Sequence, residues 1–225
     1  MWPTGEVRRG AAGDFHARSL PATLERALWW FEVAECPALV LGSSQREAAA
    51  DLDACSRAGV DIVRRRSGGG AVLLWPGESV WLDVLLPHGD PLWLDDVGRA
   101  VWWLGEVWAA TLGALGADAV SVHRGPMLPS PWTPEVCFAG TGPGEVLDRA
   151  GRKLVGISQR RTRAGARFQC LLHLSWQPER YERLLSSRPP AAHLADVAAC
   201  APAGVSAPAV REAFLAVLRA EAAPR

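Results

Sequence analysis

The sequence predicts an α+β fold, a mixed and largely antiparallel β-sheet packed with helices. Three observations lead there. Strand and helix signals follow one another irregularly and not as repeating βαβ units. Four strand-length segments come in succession between residues 136 and 176, separated by glycine or charged turns. The 225 residues are 49% apolar, enough to bury one sizeable core.

Each element has its own signal. Residues 1–19 are rich in Gly and Arg, lack periodicity and are expected to form a flexible N-terminal arm. Leu24, Ala27, Leu28 and Phe31 mark one face of a helix that ends before Pro37. PALVLG (37–42) has the length of a strand. Ser44-Gln45-Arg46-Glu47 reads as a capping box that starts a helix through Leu52 and Cys55, stopping at Gly59. VDIVRRR (60–66) is a second strand, and residues 70–75 and 79–87 read as a hairpin across Pro76-Gly77. The longest helix is expected over 95–115, where Val97, Val101, Leu104, Trp108 and Leu115 recur at helical spacing before Gly116. Residues 118–124 return to strand, and the Pro/Ser-rich stretch 125–134 is loop. VCFAG, GEVLD, RKLVGISQRR and ARFQCLLHLSW supply the four successive strands. RPPAAH (188–193) is a linker, and Val210, Ala213, Phe214, Val217 and Leu218 mark a final helix.

Composition excludes several classes of function. Basic and acidic residues both number 24, so no global field draws the chain to nucleic acid or to an anionic membrane. Five irregularly spaced cysteines without a CxxC pair argue against a disulfide framework or a thiolate zinc site. His16, His88, His123, His173 and His193 show no HxxxH or HExxH spacing, so no metal site is expected. No signal core and no membrane-length apolar run is present, which points to the cytoplasm. The eleven tryptophans, placed mostly on helices, suit core packing, because no basic stripe is interleaved with them.

Three stretches carry chemistry. Arg64-Arg65-Arg66-Ser67-Gly68-Gly69-Gly70-Ala71-Val72 joins two strands. Its glycines let backbone approach a ligand and aim N–H groups at an anion, and its arginines add fixed charge. A tight turn with solvated arginines would look the same. The second is Gly151-Arg152-Lys153-Leu154-Val155-Gly156-Ile157-Ser158-Gln159-Arg160-Arg161, which holds the one lysine of the chain. Strand alternation puts Lys153, Val155 and Ile157 on one face and Leu154, Gly156 and Ser158 on the other. A lysine there either neutralises charge building on a carbonyl or phosphate, or guards a sheet edge. The third is Cys137 in Val136-Cys137-Phe138-Ala139-Gly140, either a nucleophile or a small core hydrophobe. GTGPGE (140–145) reads as a hairpin turn, since no strand–turn–helix frame surrounds it.

Gly42-Ser43-Ser44-Gln45, then RRRSGGGAV (64–72), then GRKLVGISQRR (151–161) resemble the lipoate–protein ligase and octanoyltransferase family, in motif order and spacing, over about residues 20–185. The resemblance implies the fold of a biotin/lipoate protein ligase-like catalytic domain. It divides the chain into the arm (1–19), a catalytic domain (20–187), and a linker with a short C-terminal helix (188–225), too short for a full accessory domain. It implies that Arg65, Ser67, Gly68, Gly69, Gly70 and Ala71 wrap the acyl chain and its adenylate, with Arg65 near the carboxylate or phosphate. Lys153 would stand against the reacting carbonyl, Gly156, Ser158 and Arg160 would line the same site, and Gln45 would add to the pocket. Val136-Cys137-Phe138 resembles the cysteine segment of octanoyltransferases, in which a thiolate takes the acyl group as a thioester.

The sequence departs from the family in two places. Leu73-Leu74-Trp75 stands where the family has a histidine after GGGAV, and Phe168-Gln169-Cys170-Leu171-Leu172 stands where it has His-Gly. His173 lies three residues too far along to substitute. The general description taken first is a lipoate–protein ligase that attaches lipoate or octanoate to a carrier lysine through an acyl-adenylate, using ATP and magnesium. The alternatives are a Cys137-dependent octanoyltransferase, drawing on acyl carrier protein without ATP or metal, and a non-catalytic relative that keeps the pocket. The expected acceptor is the lipoyl domain of a 2-oxoacid dehydrogenase or the glycine cleavage H protein, with no nucleic-acid or membrane partner.

Overall fold

A computed structural model describes residues 2–221. The chain begins with β1 (Glu6–Gly10), α1 (Ala12–Ala17), β2 (Ala27–Val33) and β3 (Ala38–Leu41). It continues through α2 (Leu52–Arg57), β4 (Asp61–Arg64), β5 (Val72–Leu74), β6 (Ser79–Pro87) and α3 (Trp102–Ala114). Next come β7 (Ser121–Val122), β8 (Val146–Leu147), β9 (Lys153–Arg161) and β10 (Gly165–His173). Three helices close it: α4 (Pro178–Leu184), α5 (Ala191–Ala195) and α6 (Ala207–Glu221). The α+β expectation holds. A seven-stranded sheet runs β1-β2-β6-β10-β9-β8-β7, antiparallel except for β1 beside β2, and a small sheet runs β4-β3-β5.

The layers follow from side-chain alternation. On β2 and β6, Leu28, Trp30, Leu82, Val84 and Leu86 face one way and pack with Val107 and Trp108 of α3 and Val210 and Phe214 of α6. Trp29, Phe31, Trp81 and Leu85 face the other way and meet Val40, Val72 and Leu74 of the small sheet. The far face of the small sheet buries Leu39, Leu41 and Leu73 against Cys55, Tyr181, Leu184 and Leu194 from α2, α4 and α5. The sheets are thus stacked, helices outermost, with the apolar gap between sheets available to a ligand.

Several local expectations are corrected. Residues 27–33 are a strand and not a helix, because β2 lies inside the sheet and buries both faces. Continuous apolarity satisfies a period of 3.6 as readily as a period of 2. The capping box does not start a helix: Glu47–Ala49 is one 3₁₀ turn, and α2 begins after Asp51, whose carboxylate accepts from Ala54 N–H at 2.9 Å. Residues 70–75 and 79–87 are not a hairpin. The chain changes sheets at Pro76-Gly77, so β5 pairs with β3 while β6 sits centrally in the large sheet. Cys137–Ala139 is a 3₁₀ turn, where a strand was expected. Residues 6–17 contribute β1 and α1 instead of a loose arm, and the linker 188–193 runs into α5. Trp29, Trp30 and Trp81 lie on strands. Among the described residues, no helix is long and apolar enough to cross a membrane.

Candidate active site

The glycine loop, the Cys137 turn and the lysine strand enclose one cavity of about 340 Å³ between the two sheets. Backbone approaches that exclude a side chain build it. A Cβ on Gly42 would sit 1.9 Å from the Gly69 carbonyl oxygen, and one on Gly70 would sit 2.5 Å from Val136 N. Gly69 has φ +92°, a left-handed conformation that favours glycine. Ala71 forms a parallel bridge with Val136: its N–H donates to the Glu135 carbonyl at 2.7 Å, and its own carbonyl accepts from Cys137 N–H at 2.9 Å. That bridge sets Cys137 against the glycine loop.

Arg65 is buried beneath the loop and lines the cavity. One amino group donates to the carbonyls of Gly68 and Gly70, each at 2.7 Å, so the guanidinium braces the loop from inside. Gln45 stands outside the cavity lining. Its amide donates to the carbonyls of Pro134 and Glu135 and its oxygen accepts from Gly42 N–H, tying the first loop to the segment before Cys137. Ser67 and Ala71 likewise lie outside the lining, and Arg160 is exposed beyond Ser158. Each residue of β9 advances about 3.3 Å, so Arg160 lies past the cavity's edge.

Lys153 is 2% exposed. Its Nζ lies 2.7 Å from Glu145 Oε2 and donates to the Cys137 carbonyl at 3.0 Å, over the Phe138 ring. Strict alternation would separate Lys153 from Gly156 and Ser158, yet all three line the cavity. Glu145 is the buried cavity residue that sequence reasoning missed. Its carboxylate accepts from Gly142 N–H at 2.6 Å and Ile157 N–H at 3.2 Å as well as from Lys153, so the turn at 140–145 positions it. A carboxylate between that turn and the apolar pair Val146-Leu147 was the available signal.

Two cysteines line the cavity, and their settings differ. Cys170 is fully buried, and burial pushes its thiol up, away from the thiolate. Cys137 is partly exposed. His173 does not line the cavity. It is packed between Phe138 and Trp176, and burial, with a smaller effect of Lys153, holds its imidazole down at about 3. His16, from a segment expected to be loose, does line the cavity. Burial, followed by Arg65 and Arg167, lowers its imidazole to about 3 as well.

Among the described residues, no group of three His, Cys, Asp or Glu side chains could hold a metal ion. The one acidic residue of the lining, Glu145, is committed to Lys153 and two N–H groups, so the residues present do not fit a resident magnesium ion.

The chain is a two-sheet α+β domain whose apolar inter-sheet cavity contains a buried Lys153–Glu145 pair. The family model of the lipoyl protein ligase A/B catalytic domain matches residues 18–219, and the chain belongs to that family. At the level of the family, its activity is lipoyl or octanoyl attachment to protein. Curated protein sequences give no significant match. Among solved structures, a bipartite lipoate protein ligase of Thermoplasma acidophilum, studied with its E2 lipoyl domain, superposes with TM-score 0.68 at 17% identity, over 96% of this chain and 83% of that one. A candidate lipoate protein ligase of T. acidophilum with bound lipoic acid gives 0.65 at 18%, over 87% and 72%. A lipoate-protein ligase A bound with ATP gives 0.64 at 17%, over 87% and 72%. At such identities the likeness speaks to the fold.

Proposed function

We propose that this chain transfers a lipoyl or octanoyl group to the lysine of a lipoyl domain, and that the group rides on Cys137 as a thioester. One observation carries this: the partly exposed Cys137 lines the cavity on the turn whose carbonyl Lys153 holds at 3.0 Å. In the first step the Cys137 thiolate attacks the carbonyl of a donor thioester such as octanoyl-acyl carrier protein. The bond to the donor sulfur breaks, and that sulfur leaves with the proton Cys137 gave up. In the second step the neutral lysine amine attacks the Cys137 thioester. The C–N bond forms, the Cys137 sulfur leaves, and the amine proton returns to it. Lys153 supplies positive charge beside the carbonyl as its oxygen becomes negative. Glu145 fixes the ammonium, Arg65 shapes the loop against the chain, and Gly156 and Ser158 form part of the floor.

An ATP-dependent route is favoured by a different feature, the left-handed Gly69 above the Arg65 guanidinium, a backbone shape suited to an anion such as the phosphate of an acyl-adenylate. The ATP carried by the fold relative belongs to this route, and magnesium would arrive with ATP as substrate. The deciding experiment incubates the protein and a lipoyl domain with either octanoyl-acyl carrier protein or octanoate plus magnesium and ATP. Mass spectrometry follows the domain and Cys137. Acyl-Cys137, with transfer from carrier protein abolished in Cys137→Ser, is expected. Product formed only with ATP, and unaffected by Cys137→Ser, would select the adenylate. No product in either arm would overturn acyl transfer altogether.

A further inference from the structure

We infer that Tyr181 is the positioning residue of the Cys137–Lys153 pair: its hydroxyl ends a strand pairing one rung early and so leaves the Cys137 carbonyl to Lys153. The inference deepens the thioester proposal and rests on it for the part Tyr181 plays in the reaction. Tyr181 is the one tyrosine of the chain. It lies on α4, outside the three stretches that carry chemistry, and is buried in one cluster with Leu73, Val136 and Ala139. Its ring packs on Trp176 with centroids 5.1 Å apart. A phenyl ring would fill that place equally well, and the hydroxyl adds one contact: it accepts from Leu73 N–H at 2.9 Å.

The backbone ladder shows what that contact replaces. Ala71 N–H donates to the Glu135 carbonyl and Cys137 N–H to the Ala71 carbonyl, the pattern of a parallel pair. Groups on one edge of a strand recur every second residue. The next rung would therefore run from Leu73 N–H to the Cys137 carbonyl, and the one after from Ala139 N–H to the Leu73 carbonyl. Instead, Tyr181 takes the Leu73 N–H. Ala139 N–H turns back to the Val136 carbonyl at 3.0 Å, and Cys137–Ala139 closes into its 3₁₀ turn. The Cys137 carbonyl, released from the ladder, accepts from Lys153 Nζ at 3.0 Å. One hydroxyl thus decides which donor that carbonyl receives, a strand amide or the buried ammonium. Burial pushes the Tyr181 phenol up, with Cys137 adding in the same direction, so the hydroxyl stays neutral as it holds the amide.

The test compares the full chain with Tyr181→Phe, using octanoyl-acyl carrier protein as donor. In the variant the buried Leu73 N–H loses its acceptor and should close on the Cys137 carbonyl, since an unpaired buried donor is costly. A scalar coupling across that hydrogen bond, from the Leu73 amide nitrogen to the Cys137 carbonyl carbon, should appear in the variant and be missing from the unaltered protein. The single-turnover rate of Cys137 acylation, followed by mass spectrometry, should fall by roughly tenfold to a hundredfold, with the half-saturating donor concentration unchanged. A folded variant that lacks the coupling, or that acylates Cys137 at the unaltered rate, overturns the positioning role. Should Tyr181→Phe fail to fold, growth on 3-fluorotyrosine places a single fluorine label at Tyr181. Its resonance should move when iodoacetamide alkylates Cys137 and stay in place in Cys137→Ser treated alike. A resonance indifferent to Cys137 overturns the inference. Absence of acyl-Cys137 from the unaltered protein overturns the thioester route and the part of Tyr181 in it, while the coupling and the fluorine signal still decide whether Tyr181 sets the turn.

Discussion

Lys153 is a cation almost without water around it, so its surroundings decide whether the site stands. Glu145 is its ion-pair partner at 2.7 Å. Removing one member of such a pair leaves an uncompensated buried charge, which costs about 3–5 kcal/mol. Glu145→Gln should therefore lower the urea midpoint strongly, and adding Lys153→Met should recover part of that loss. Full additivity of the two single changes would contradict coupling through the pair. His173 makes a second prediction, through pH. Its folded value is lowered to about 3, against about 6.5 when unfolded, chiefly by burial between Phe138 and Trp176. Between those values the unfolded state binds a proton that the folded state refuses. Stability is thus complete above about pH 6.5 and falls as pH drops toward 3, by at most about 1.4 kcal/mol per unit for this residue. His173→Phe should flatten that slope in denaturant titrations at pH 4 to 7. An unchanged slope would show that His173 does not contribute to it.

At the scale of the element, the glycine loop is defined by where backbone touches backbone. Gly70→Ala would push Val136 away and open the Ala71–Val136 bridge, whereas a Cβ on Gly68 meets nothing within 4 Å. Gly70→Ala should cost about 1–3 kcal/mol, and Gly68→Ala should leave the thermal midpoint within a degree or two. Equal effects would mean that the loop is not seated as described. The loop was legible in the sequence only together with the lysine stretch, since three glycines between strands read equally well as a tight turn, and Lys153 stood out as the one lysine. Glu145 was hidden because its role depends on a turn folding back to Ile157, a contact no local pattern encodes. The strands β9 and β10 and the helices α3 and α6 could be read from periodicity. β2 could not, since burial of both faces erased the alternation, and β1 (EVRRG) carries too little apolar surface to announce itself. The β5–β6 turn looked like a hairpin because its local chemistry is that of a hairpin. Only the pairing of β5 with β3 sends it to the other sheet.

For the whole molecule, the question is whether residues 188–225, set apart by the sequence as linker and helix, can be removed from a catalytic unit ending at 187. Val210 and Phe214 are fully buried and Leu218 is 2% exposed. They join the main core, where Phe214 packs on Trp30 and Trp108 with centroids 5.6 and 4.8 Å apart. The segment before α6 also pairs with the site strand: Lys153 N–H donates to the Val197 carbonyl at 3.0 Å, and Ala199 N–H to the Lys153 carbonyl at 2.9 Å. Deleting residues 188–225 would thus uncover the part of that sheet face under α6, leaving α3 on the rest, and leave the backbone of Lys153 unpaired on one side. The shortened chain should be insoluble or lack a cooperative unfolding transition. Phe214→Ala, which keeps the backbone pairing, should fold with a loss of about 3–5 kcal/mol, since its side chain is a central contact between α6 and the core. Circular dichroism with urea titration distinguishes the outcomes. A 1–187 chain that unfolds cooperatively near the full-length midpoint would show that the catalytic unit stands without α6, and that the packing of α6 on α3 is an accessory to the fold.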